Sequence, residues 1–267
     1  MQSAFRSLLF WGSLPVLLPQ AIGVRRSAPR FAGAGGPNKG AVGSGPSRRL
    51  LAIGDSIIAG VGASDFSTAL VGWAAHQLSA SLGYQIDWAA HGRIGASSQE
   101  VLQDLPRQLD DGAADFIMLS VGVNDITSLS RVSTWTQNLD AILHALRRHS
   151  PRAPIAVAGI PPLRSFPLLP QPLRAISGVR AAEFDAVARR VVGNHPLAVY
   201  VPVGFDLQPD EFSADGFHPS EKSYQKFGCE VARGLSQLHC ASEASSTRDD
   251  SAAVDALRGD RCDTITD

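Results

Sequence analysis

Five short apolar runs recur through the middle of the chain, at 50–53, 85–89, 116–121, 155–158 and 198–201. Runs of this length, bounded by turn-forming residues, read as strands buried within a parallel sheet. Longer stretches with helical spacing alternate with them, at 67–82, 99–109, 134–149, 173–192 and 221–238. In the third of these, Leu139, Ile142, Leu143 and Leu146 share one face. Strand–helix alternation repeated in this way predicts an α/β fold, a parallel sheet covered by helices on both sides. In such sheets the chemistry gathers beyond the carboxyl ends of the strands.

The pattern changes at both ends, dividing the chain into segments 1–26, 27–48, 49–240 and 241–267. Residues 7–24 carry no charge and are flanked by Arg6, Arg25 and Arg26. The run approaches the length of a membrane span, but Pro15 and Pro19 interrupt helical regularity. It reads either as a signal or anchoring segment or as an uncleaved extension lying at a membrane surface, outside the catalytic core. Cytoplasmic, membrane-associated and exported locations are all compatible with it. Residues 27–48 are rich in Gly, Ser and Pro and read as a linker. Residues 241–267 are polar, with almost no large apolar side chain, and read as a disordered tail.

Composition narrows the partners more than the fold. An apolar share of 44% is ample for a core, and a net charge of −1 gives no basic excess for nucleic acid. The chain is expected to act as a monomer on a small molecule. Cys229, Cys240 and Cys262 lack metal-ligand spacing and form no disulfide framework, leaving Cys240–Cys262 as one conceivable pair.

The candidate chemistry lies where the strands end. Gly54-Asp55-Ser56 follows the first, His91-Gly92-Arg93-Ile94-Gly95 the second and Gly122-Val123-Asn124-Asp125 the third. Asp215-Gly216-Phe217-His218 lies beyond the fifth. Each alone is an ordinary turn. Together they supply a serine, candidate oxyanion donors at Gly95 and Asn124, and a carboxylate three residues before a histidine, close enough to reach its Nδ1. Asp125 reads as a brace for its loop. The other histidines lack this arrangement, and His195, between Asn194 and Pro196, reads as part of an ordinary loop.

These four blocks resemble the SGNH hydrolase superfamily, the GDSL lipases and esterases. The resemblance spans roughly 50–238. Residues 164–174, with Ala59-Gly60-Val61-Gly62, are similar to a bacterial subgroup that includes fatty-acid enol ester synthesis proteins. The chain departs from the usual pattern at Ile57, where leucine is common, and at Ala89-Ala90-His91, where asparagine is common. Either Gly92 or Gly95 then serves the second block, and spacing favours Gly95. The resemblance implies a three-layer α/β/α sandwich with a flavodoxin-like five-stranded parallel sheet. It further implies a catalytic triad of Ser56, Asp215 and His218, and an oxyanion hole from Ser56, Gly95 and Asn124. No metal or organic cofactor is expected.

The expected activity is carboxylic ester hydrolysis. An acyltransferase or thioesterase would use the same residues, while a non-catalytic flavodoxin-like binding module would leave the four blocks unexplained. An α/β-hydrolase is disfavoured because Ser56 is followed two residues later by Ile58, not glycine. Phe166, Leu168 and Leu169, in the Pro-rich stretch after the fourth strand, suit either an acyl-chain wall or ordinary packing.

Overall fold

In the computed structural model, which describes residues 2–27, 32–109, 112–203 and 208–259, strand side chains alternate between two apolar cores. Leu51 and Ile53 enter one core while Leu50 and Ala52 enter the other, all fully buried. Ile117 and Leu119 alternate in the same way with Phe116 and Met118. That period of two is what burial on both faces demands.

The strands are β1 (Lys39–Val42), β2 (Ser47–Gly54), β3 (Gln85–Gly92), β4 (Phe116–Ser120), β5 (Ile155–Ala158) and β6 (Ala198–Val201). They form one sheet in the order β1-β3-β2-β4-β5-β6. The last five pair in parallel, as the sequence predicts. From β2 the chain passes to β3 on one side and then crosses to β4 on the other. The carboxyl end of β2 therefore lies at the switch point of the sheet, where a crevice opens.

Helices cover both faces. On one lie α2 (Leu70–Leu82) and α7 (Glu221–Gly259), packed against each other; on the other lie α3 (Ser98–Gln108), α5 (Val132–His149) and α6 (Leu173–Gly193). A short α4 (Val123–Thr127) follows β4 directly. The inward face of α5 carries Trp135, Leu139, Ile142, Leu143 and Leu146, all buried.

Three features differ from the sequence reading. Part of the expected linker forms β1, an antiparallel edge strand with Lys39 opposite Ala89 and Val42 opposite Ile86. The N-terminal segment is a continuous helix, α1 (Gln2–Ser27), running through Pro15 and Pro19. Both prolines lie on its exposed side, where water can meet the carbonyls they leave unpaired. Its other side packs along α6: Phe10 and Leu17 are buried, and Phe10 lies over the Arg180 guanidinium at 4.8 Å. The Gln20 amide donates to Gln171 O and accepts from Leu173 N–H. Val16, Leu18 and Ile22 are exposed. Among the described residues, no helix is long and apolar enough to cross a membrane.

The third difference is at the other end, where α7 continues to Gly259 through residues that composition marks as an irregular tail. Once a helix is nucleated, each added residue gains a hydrogen bond, and Ala241, Ala244, Ala252 and Ala253 favour the extension. Residues 260–267, including Cys262 and hence the conceivable Cys240–Cys262 pair, lie outside the described residues.

The core of α5 sets a direct test. Leu143→Ala is expected to cost about 2–5 kcal/mol, because a fully buried leucine leaves a cavity its neighbours cannot fill. Urea unfolding of the variant beside the parent chain measures it.

Candidate active site

The turn after β2 is shaped by close backbone contact. At Gly54 φ is +152°, and a Cβ there would lie 2.1 Å from Ser120 O on β4. At Gly92, the end of β3, a Cβ would lie 2.0 Å from Ala59 N. Only glycine permits both approaches. The turn itself is closed by Ala59 N–H donating to Asp55 O and Val61 N–H donating to Ser56 O. Ser56 is thereby held at the carboxyl edge of the sheet, 7% exposed.

The Asp-x-x-His segment folds into a compact turn facing it. Ser213 N–H donates to His218 O at 2.8 Å and Gly216 N–H donates to Ser213 O at 2.9 Å. Asp215 Oδ1 accepts from Ser213 Oγ, Phe217 N–H and His218 N–H, each within 2.9 Å. Its Oδ2 lies 2.6 Å from His218 Nδ1, and His218 Nε2 lies 2.9 Å from Ser56 Oγ. Burial pushes the Asp215 carboxyl up, but the His218 ring, these two N–H groups and the Ser213 hydroxyl outweigh it and hold the pKa at about 2.

The third block braces the second. Asn124 Nδ2 donates to Ala96 O at 2.9 Å, and the buried Asp125 accepts from Ser98 N–H and Ser98 Oγ at 2.8 and 2.7 Å. Asp125 thus fixes the start of α3, beside the capping box of Ser97 and Glu100. Asn124 lines the same cleft as Ser56 and His218. Gly95 is exposed in the loop beside it, at φ +79°, and is not among the residues lining that cleft. The neighbouring glycine, Gly92, is occupied in packing against the serine turn.

These blocks coincide with a match to the model of the GDSL-like lipase/acylhydrolase family, which covers residues 52–226. The chain belongs to that family. It is accordingly an ester hydrolase, acting on small-molecule esters. Its fold is similar to that of a lipase from a goat rumen metagenome, at 18% identity and TM-score 0.60, over 70% of this chain and 97% of that one. It is also similar to a lipase/acylhydrolase from Enterococcus faecalis, at 25% identity and TM-score 0.52, over 70% and 94%. The structure of TesA matches at 25% identity and TM-score 0.54, over 72% and 99%. No curated protein matches the chain.

The cleft beside Ser56 is largely apolar. Ile160 and Phe166, from the loop after β5, line it together with Phe212 and Phe217. The Phe166 ring meets Phe212 and Phe217 edge-on, each at 5.1 Å. Leu169 is buried beneath the loop and does not line the cleft.

Two acidic groups here escaped the sequence reading. Glu211 lines the cleft yet is 3% exposed, held by Lys226, Ser223 and Lys222. Burial pushes its carboxyl up, and those three partners bring it below its ordinary value. Asp55 is 2% exposed, and its Oδ1 accepts from Ile57 N–H and Ser120 Oγ. Burial dominates there, only partly offset by those bonds and by His218, so its pKa rises to about 6. Glu211 has no motif that would announce it, and Asp55, although inside the Gly54-Asp55-Ser56 block, carries no sequence signal of its burial.

The two shifted aspartates act on stability in opposite directions. Asp215, depressed in the fold, contributes stability above its ordinary value of 3.8 and loses it as pH falls towards 2. Asp55, raised in the fold, favours the folded state at low pH and loses that contribution as pH rises from 3.8 to about 6. Asp55→Asn removes the second titration. Between about pH 4 and pH 7 its stability relative to the parent chain is expected to shift in the variant's favour, by about 2 kcal/mol. Urea unfolding at the two pH values reads this; a pH-independent difference would exclude it.

Proposed function

We propose that the chain hydrolyses carboxylic esters through an acyl-enzyme on Ser56. The supporting observation is the continuous line from Asp215 Oδ2 through His218 to Ser56 Oγ, with separations of 2.6 and 2.9 Å, at the mouth of an apolar cleft. In this reading His218 Nε2 takes the Ser56 proton as Oγ attacks the ester carbonyl. Asp215, anionic at neutral pH, holds Nδ1 protonated and stabilises the imidazolium. The tetrahedral intermediate collapses as His218 passes its proton to the departing alkoxide. Water, deprotonated by the same ring, then releases the carboxylic acid and restores the Ser56 hydroxyl.

The oxyanion is assigned to the Ser56 and Gly95 backbone N–H groups and the Asn124 amide. An amide carries two protons. One of those on Asn124 is engaged by Ala96 O, and the side chain lines the cleft beside Ser56. The aromatic wall of Phe166, Phe212 and Phe217 suits an apolar acyl group.

Ser56→Ala is expected to abolish labelling by a fluorophosphonate probe; retained labelling would move the nucleophile to another serine. Asn124→Ala is expected to lower kcat by about 10²–10³-fold, the worth of one oxyanion donor. Near-parental turnover on p-nitrophenyl esters would take Asn124 out of the site. Product analysis with a competing alcohol separates hydrolysis from acyl transfer, and an acyl thioester run alongside separates ester from thioester preference.

A further inference from the structure

Asp140 and His144 stand one helical turn apart on α5, on the side away from its buried face. His195 reaches the same spot from the loop between α6 and β6. Asp140 Oδ1 lies 2.8 Å from His195 Nε2, and Asp140 Oδ2 lies 3.7 Å from His144 Nε2. The two imidazoles are 4.7 Å apart and inclined at 65°, so their nitrogens converge without the rings stacking. One donor atom from each residue lies within 4.8 Å of the other two.

We propose that Asp140, His144 and His195 bind a divalent first-row metal ion, with Zn²⁺ the best match. Two imidazole nitrogens and one carboxylate suit zinc, whereas calcium and magnesium favour all-oxygen sites. Zinc bonds of about 2.0–2.1 Å place tetrahedral ligands about 3.3 Å apart. The three donor atoms lie within 4.8 Å of one another, so rotation of the exposed His144 and Asp140 side chains is what draws them to that spacing. Three protein ligands leave a fourth position for water, which the exposed His144 edge admits.

The scaffold is already rigid. His195 is 8% exposed and its N–H donates to Val192 O at 3.0 Å. Arg147, farther along α5, donates to Pro196 O and Leu197 O at 2.7 and 3.2 Å, clamping the loop that carries His195. Binding of Asp140 to His195 alone would account for one hydrogen bond; it does not require a second imidazole at the same carboxylate.

The site lies away from the chemistry. His195 comes just before β6, at the amino ends of the strands, and Ser56 follows the carboxyl end of β2. A bound ion would tie α5 to the α6–β6 loop and stabilise the fold by mass action. Ester hydrolysis as proposed needs no metal.

Calorimetric titration of ZnCl₂ into the EDTA-treated, dialysed full chain tests this. The expected result is one ion per chain and a Tm that rises with zinc. His144→Ala should preserve folding, since the ring is 62% exposed, and circular dichroism without metal checks it. Loss of an outer partner alone weakens metal sites by about 10–100-fold, so His144→Ala and Asp140→Asn should each weaken zinc at least that much. Activity on a p-nitrophenyl ester should be unchanged in both. Absence of zinc binding, or binding equally tight in both variants, would overturn the assignment.

Discussion

The carboxyl edge of the sheet depends on how closely backbone can approach backbone around Gly54. A side chain at that position would collide with Ser120 O, and one at Gly92 would collide with Ala59 N. Because neither exists, β3 and β4 close on the serine turn from both sides. Ser56 emerges at a fixed place, on a strand buried on both faces and braced by its neighbours. The arrangement leaves no room for adjustment by even one methyl group, which is how dense interiors convert small sequence choices into position.

Buried carboxylates extend that order outward, each in a different way. Asp55 joins the serine turn to β4 through Ser120, at the expense of an ionised form that burial disfavours. Asp125 joins α4 to the start of α3 through Ser98, tying the loops after β3 and β4 together. Asp215 receives enough hydrogen bonds to stay charged despite burial, and that charge orients the His218 ring. The same residue type serves as hinge pin, strut and counter-ion, according to how many donors surround it.

The parallel strands were legible because burial on both faces leaves continuous apolar runs. The blocks around Ser56, Asn124 and His218 were legible because each is a short local motif at a strand's end. β1 was not, because Lys39-Gly40-Ala41-Val42 has little strand character of its own. It is a strand because β3 offers it an unpaired edge. The docking of α1 was hidden for a similar reason: its prolines argue against a helix, and only α6 supplies the surface that favours one. Asp140 and His195 lie 55 residues apart and meet only through the packing of α5 beside the loop before β6. Gly95 could be proposed from spacing, but the direction its loop takes depends on the brace from Asn124 and Asp125.

The hydrogen bond between Ser56 and His218 joins residues 162 positions apart. During synthesis the serine turn leaves the ribosome early, and the histidine only after all six strands have been made. Until then Ser56 has no imidazole beside it. Closing so long a loop is slow relative to forming local helices, so the two halves of the site meet late in folding. On the proposed reading of the site, hydrolytic power is withheld from unfinished chains, and turnover itself reports that the domain has been completed.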